Sequence, residues 1–360
     1  MIHLFHRVVK EAVMKSDTTG AKKRKHLFLK ILAVLVIIIT GLIMTVLTHP
    51  QIIVGAIQGL SGETVNTKNL YEPLSDPIEG TKDNGQYIIT EINYSSTYPN
   101  SYLDITYPDA DRSVQRPTLI YFHGGGFFGG SKSIGDPLAG SDATALLDDI
   151  CAEGFNLVNI DYVLVPEYHF PAPLMQANEA FQFLMEHAEE YHLDMDHVVI
   201  MGSSAGAVIT SQLGSIITNP EYAEALEISP VLKPQQIMAV VLDDAPLAYD
   251  KFSLGAKILV GNYVKGSIFL SREEVREYNN ILWVDSDYPP AVLLGSEYYV
   301  DMRDMDAALT EAGVTHVLID PLAERDLQMP HCFVASERVD DVARDAFERM
   351  VEFLQNQVDS

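Results

Sequence analysis

Gly202-Ser203-Ser204-Ala205-Gly206 limits what this chain can fold into more than any other stretch, because of what flanks it. The apolar run His197-Val198-Val199-Ile200-Met201 before it reads as a strand, and Ala205 to Ile217 after it reads as a helix. A G-x-S-x-G pentapeptide at a strand-to-helix turn has the pattern of a nucleophile elbow. Its glycines permit a turn sharp enough to hold the central hydroxyl, here Ser204, proud of a sheet edge. The helix N-terminus behind it favours developing negative charge.

The surrounding pattern supplies such a sheet. Strands are expected at Tyr87 to Tyr94, Leu103 to Tyr107, Pro117 to Phe122, Leu157 to Tyr162, Ile237 to Leu242, Ala291 to Leu294 and Thr315 to Ile319. The first two read as a pair. The others alternate with helices expected at Ala143 to Glu153, Pro173 to Tyr191 and Val339 to Gln355. This alternation predicts an α/β fold with a mostly parallel central sheet and helices on both faces. Apolar residues at 47% and charged ones at 21% are enough for a substantial core and exclude disorder.

His123-Gly124-Gly125-Gly126-Phe127 directly follows the strand Pro117 to Phe122. Acyl transfer develops charge on a carbonyl oxygen, and backbone N–H groups stabilise it best where no Cβ prevents close approach. Gly124, Gly125 and Gly126 are the candidate oxyanion donors, together with Ala205, the residue after the nucleophile. A hydroxyl also needs a base, and in this arrangement the chain order is serine, acid, histidine. Only His316 and His331 follow Ser204. His316 falls inside an expected strand, whereas His331 falls in the loop before the last helix and is the candidate base. The acid is expected after the strand Ala291 to Leu294, where Glu297 and Asp301 are alternatives, Asp301 slightly favoured and Asp304 a distant third.

A second constraint lies near the N-terminus. Ile31 to Leu47 carries no charge, and Leu27-Phe28-Leu29 extends the run. About 20 helical residues span the roughly 30 Å hydrocarbon core, so this stretch is long enough to cross. A signal-peptide apolar region is about 7 to 15 residues and ends at small residues, which Thr48-His49-Pro50-Gln51 does not provide. Residues 1–30 hold eight basic and two acidic groups, +6, while the whole chain is −26, leaving −32 on the remainder. Lys22-Lys23-Arg24-Lys25 before the run places the N-terminus in the cytoplasm and the acidic body outside a cell membrane crossed once. So acidic a body excludes a nucleic-acid binder. Two cysteines, Cys151 and Cys332, are too few for a disulfide framework.

Taken together, the HGGGF loop, Asp161-Tyr162-Val163-Leu164-Val165-Pro166-Glu167 with Phe170-Pro171, the Ser204 elbow and His331-Cys332-Phe333 resemble the hormone-sensitive lipase-like branch of the α/β-hydrolases over roughly residues 86–355. The resemblance implies an α/β-hydrolase fold, a serine carboxylesterase acting on short-chain or acetyl esters through an acyl-enzyme, and no cofactor. It maps the oxyanion hole to Gly124 and Gly125, with Gly126 as a further donor. The acid of such proteins stands in a D-P-L-like segment, which Asp301-Met302-Arg303-Asp304 matches only loosely. No metal is expected, since there is no H-E-x-x-H and no cysteine pair at ligand spacing. An amidase or peptidase on the same residues, or a catalytically silent binding module, are the competing functions. The expected organisation is a basic segment 1–26, an anchor 27–48, a stalk or cap segment 49–85 and a hydrolase domain 86–360 with a possible cap insertion 247–282. The expected partner is a small-molecule ester, and the sequence leaves the oligomeric state open.

Overall fold

The computed structural model describes residues 2–61, 66–136 and 144–358, with side chains described from Arg24 onward except that of Ser61. It divides into two units, residues 1–49 and 50–360. The first is one helix, Ile2–Thr48. Its Arg24–Thr48 part is long and apolar enough to cross a membrane.

The second unit is built on nine strands: β1 (Glu79–Thr81), β2 (Tyr87–Asn93), β3 (Tyr102–Tyr107), β4 (Pro117–Phe122), β5 (Asn156–Ile160), β6 (Asp194–Ser203), β7 (Ile237–Asp243), β8 (Ala291–Leu294) and β9 (His316–Ile319). Their spatial order is β1-β2-β3-β5-β4-β6-β7-β8-β9. Pairing is antiparallel from β1 to β5 and parallel from β5 through β9, so the expected mostly parallel sheet is present.

Side chains alternate across the sheet, as the two-residue period of a strand requires. On β4, Ile120 and Phe122 enter one apolar core while Leu119 and Tyr121 enter the other; on β6, Val198 and Ile200 part in the same way from Val199 and Met201. Helices close both cores. Ala172–Glu186 contributes Leu174, Ala177, Phe181 and Leu184 to the first. Asp341–Val358 buries Ala343, Ala346, Phe347, Met350 and Leu354, a helical-period stripe, in the second. The helix expected from Ala143 runs from Thr144 to Ala152, and Ala143 itself lies outside the described residues.

Within residues 49–85, expected as a stalk or cap, the described stretches 51–60 and 66–81 make contacts with the rest of the second unit. Helix Gln51–Ser61 buries Val54 completely, and the Gln58 amide donates to the Phe128 carbonyl at 2.9 Å. Asn69 donates to the Leu164 carbonyl and accepts the Leu164 N–H, both at 2.8 Å. Residues 62–65 lie outside the described ones. The expected insertion at 247–282 forms helices Leu254–Lys265 and Arg272–Tyr278. Its Tyr263 is fully buried, stacked on Phe127 with ring centroids 3.7 Å apart, whereas Leu254 and Phe269 are exposed.

Candidate active site

The turn from β6 into helix Ala205–Thr218 places Ser204 at φ 55, ψ −117, a left-handed state that a non-glycine residue rarely adopts. Two contacts hold it there. The Ser204 N–H donates to the Asp243 carbonyl at 2.7 Å. Gly206 lies so close to the end of β4 that a Cβ would stand 2.0 Å from the Phe122 carbonyl oxygen, so only glycine fits. The elbow therefore abuts the start of the glycine loop. That loop closes on itself, with the Phe128 and Gly129 N–H groups both donating to the Gly125 carbonyl. Gly125 sits at φ +106, where a Cβ would lie 2.0 Å from Gly129 O. Tyr162 donates to the His123 carbonyl at 2.7 Å and stacks on the His123 ring at 4.3 Å.

His331 lies between β9 and the last helix. Its Nε2 is 2.8 Å from Ser204 Oγ, and on its other side Nδ1 hydrogen-bonds Asp244 Oδ2. Asp244 follows β7 directly and has φ 60, which turns its carboxylate across toward the imidazole. Three backbone N–H groups hold it: Ser296 at 2.9 Å and Tyr298 at 2.8 Å on Oδ1, and Glu297 at 3.0 Å on Oδ2. The Ser296 hydroxyl adds a fourth donor at 2.7 Å. Burial alone would raise this carboxyl, but the hydrogen bonds from His331 and Ser296 outweigh it and hold the group below the usual carboxylate range. For His331 burial again works against the charged form, yet the Asp244 carboxylate, reinforced by Asp136 and Glu297, lifts the imidazole to about 9.

The acid alternatives expected from the sequence occupy other positions. Asp301 does not reach the imidazole; its Oδ1 accepts the N–H groups of Leu247 at 2.9 Å and Ala248 at 2.7 Å. It stands in the first turn of helix Tyr299–Ala312, and burial pushes it up to about 6. Glu297 has an oxygen 3.6 Å from His331 Nδ1, but its side chain is 60% exposed and Asp244 takes the hydrogen bond. Asp304 pairs with Lys251, and His316 bonds the Val314 carbonyl at 2.7 Å. Gly124, Gly125 and Gly126 form the loop beside the elbow, and Ala205 is the first residue of the helix behind Ser204.

The sequence reading passed over Asp244 because it placed the acid one strand further on. The available signal was an apolar strand ending in Asp243-Asp244, next in the sheet to the strand that carries Ser204. Asp136 was also passed over; an oxygen of its buried carboxylate lies 3.8 Å from His331 Nε2. Among the described residues, Asp136, His331 and Cys332 group closely enough to ligate a metal, but that imidazole is engaged on both sides by Ser204 and Asp244. Cys332 and Cys151 are free buried thiols, and burial raises both well above the ordinary thiol value.

A model of the BD-FAE family matches residues 103–298 of the chain. Among curated proteins, the chain is 32% identical to Esterase LipI of Mycobacterium tuberculosis over 104 residues, 29% of this chain and 30% of that protein. It is 26% identical to Lipase 2 of a Moraxella species over 254 residues, 68% of this chain and 52% of that protein. The chain thus spans between about a third and a half of these relatives. Among solved structures, esterase B of Lactobacillus rhamnosis superposes with a TM-score of 0.63 at 20% identity, covering 78% of this chain and 88% of that one.

Proposed function

The chain belongs to the BD-FAE family, and on that premise we propose that it is a serine carboxylesterase with Ser204 as nucleophile, His331 as base and Asp244 as acid. The observation that carries this reading is the continuous contact Ser204 Oγ, His331 Nε2, His331 Nδ1, Asp244, with a serine held in a strained turn at one end. A hydroxyl within hydrogen-bond reach of an oriented imidazole is an activated nucleophile.

Ser204 Oγ attacks the ester carbonyl carbon as its proton passes to His331 Nε2. The carbonyl oxygen becomes an oxyanion, accepted by N–H groups of Gly124, Gly125 and Ala205, with Gly126 as a further donor. Asp244 stabilises the imidazolium. Collapse expels the alcohol, which takes the proton from Nε2 and leaves an acyl-Ser204. Water, deprotonated by the same nitrogen, attacks the acyl carbon and releases the carboxylic acid, and Ser204 recovers its proton. The substrates are short-chain or acetyl esters. The Arg24–Thr48 helix anchors the protein in a membrane, with the basic N-terminal segment inside and the esterase outside the cytoplasm. Only His49 and Pro50 separate that span from the first helix of the body.

The test is hydrolysis of nitrophenyl esters from acetyl to long acyl chains by the protein and by Ser204→Ala. Turnover on short chains that is lost by at least about 10³-fold in the variant is expected. A folded protein inactive at every chain length, or a variant as active as the parent, overturns the reading.

A further inference from the structure

Lys132 is 2% exposed, and lysine is almost never buried so completely unless it is paired. Its ammonium donates to Glu91 Oε1 at 2.8 Å and lies 3.6 Å from both Asp104 Oδ1 and Asp161 Oδ2. The three carboxylates come from three places in the sheet: β2, β3 and the residue after β5. Glu91 reaches the cluster only because the register of β2 on β3 shifts between Ile89 and Ile92, and because Glu91 itself takes φ 57. Bulges of this kind re-aim a side chain. The Glu91 N–H then donates to Asp104 Oδ1 at 2.8 Å, so two of the carboxylates are fixed to each other as well as to the ammonium.

Lys132 stands two residues beyond Gly130, where the glycine loop returns to its own start. A Cβ on Gly130 would lie 2.7 Å from both the Gly124 carbonyl oxygen and His123 Nδ1. The Lys132 N–H donates to Asp161 Oδ1 at 2.6 Å, and the same oxygen is 3.8 Å from His123 Nε2. Backbone and side chain of one residue thus fasten the outgoing end of the loop to three strands, while β4 fastens the incoming end.

We propose that Lys132 is a positioning residue for the oxyanion-binding loop: by gathering Glu91, Asp104 and Asp161 it fixes Gly124 to Gly126 relative to Ser204. This rests on the reading of those glycines as oxyanion donors. In this role Lys132 acts through the loop and not by contact with substrate. Its effect is geometric, since donors must stand about 2.7–3.1 Å from the developing oxyanion. A misplacement of about 1 Å can lower a rate about 10²-fold. A lysine that served stability alone would leave the turnover of the folded variant unchanged.

The experiment compares the full-length protein, Lys132→Met, Glu91→Gln and Ser204→Ala in detergent. It measures kcat and KM on nitrophenyl acetate and the affinity for a trifluoromethyl ketone, whose adduct with Ser204 places an oxyanion in the loop. In folded Lys132→Met, kcat is expected to fall about 10- to 100-fold with KM within threefold, and ketone affinity to weaken by the same factor as kcat. Glu91→Gln, which keeps the side-chain shape but removes the ammonium's nearest charge, is expected to lower kcat about 3- to 10-fold, and it decides the matter if Lys132→Met does not fold. A folded variant with unchanged kcat, or one in which only KM rises, overturns the inference. Activity in the parent that Ser204→Ala loses, beside unchanged kcat in the Lys132 and Glu91 variants, overturns this inference alone. An inactive parent, or an active Ser204→Ala, overturns it together with the esterase reading.

Discussion

Asp244 and Asp301 are two buried aspartates that face each other's loops in a reciprocal arrangement. Asp244, after β7, accepts N–H groups from the loop after β8; Asp301, in the helix after β8, accepts N–H groups from the loop after β7. Each carboxylate staples the other's loop, yet their titrations are shifted in opposite directions. Asp244 also receives the Ser296 hydroxyl and the His331 imidazole and is held below the usual range, whereas Asp301 has two neutral donors and is pushed up to about 6. The difference teaches that burial alone does not set a carboxylate's charge. The number of donors does, and above all whether one of them can carry a positive charge.

The largest expected effect that sharpens this contrast is on turnover. Asp244→Asn should lower kcat about 10³- to 10⁴-fold, as removing the carboxylate from a serine–histidine pair does elsewhere. Asp301→Asn should leave kcat within about threefold; equal losses in the two variants would break the comparison. The next effect is on stability. A carboxyl whose folded pKa is raised contributes stability below its unfolded pKa and loses it as pH rises through the folded value, here about 6. Asparagine does not titrate, so the Tm of Asp301→Asn relative to the parent should rise between pH 5 and pH 8, and a flat or falling difference would contradict the assignment. A smaller effect lies in the pH profile. On the proposed mechanism the base form of His331 is the active one, and with its imidazole lifted to about 9, kcat/KM should climb with pH toward a midpoint near that value. Glu297→Gln removes a third-ranking charge from an exposed position and should move the midpoint slightly downward.

Much of this was legible in the sequence because it rests on local pattern. The strand and helix periods around the sheet are local, and so are the flanks of Gly202 to Gly206 and the chain order that leaves only His316 and His331 after the serine. Asp244 was not legible, for two reasons. Fifty acidic residues carry no local mark of which one a distant loop will bring to an imidazole. Within Asp243-Asp244 the choice is made by the pleat: Asp243 ends the strand and accepts the Ser203 hydroxyl at 3.0 Å, while the positive φ at Asp244 turns its side chain toward His331. Residues 49–85 were expected as a stalk or cap from their scattered Gly, Ser, Asn and Pro; within them the Gln58 and Asn69 amides satisfy backbone groups of distant segments, contacts that no local pattern marks. Nor does any local pattern mark the pairing of Glu91 with Lys132, since a bulge in β2 brings them together inside.

The central claim, that Asp244 rather than Asp301 partners His331, is tested most directly by following the ionisation of His331 by NMR in the parent, Asp244→Asn and Asp301→Asn. The account predicts a midpoint near 9 in the parent, a marked fall in Asp244→Asn and no change in Asp301→Asn. A His331 midpoint that holds in Asp244→Asn and falls in Asp301→Asn would contradict it.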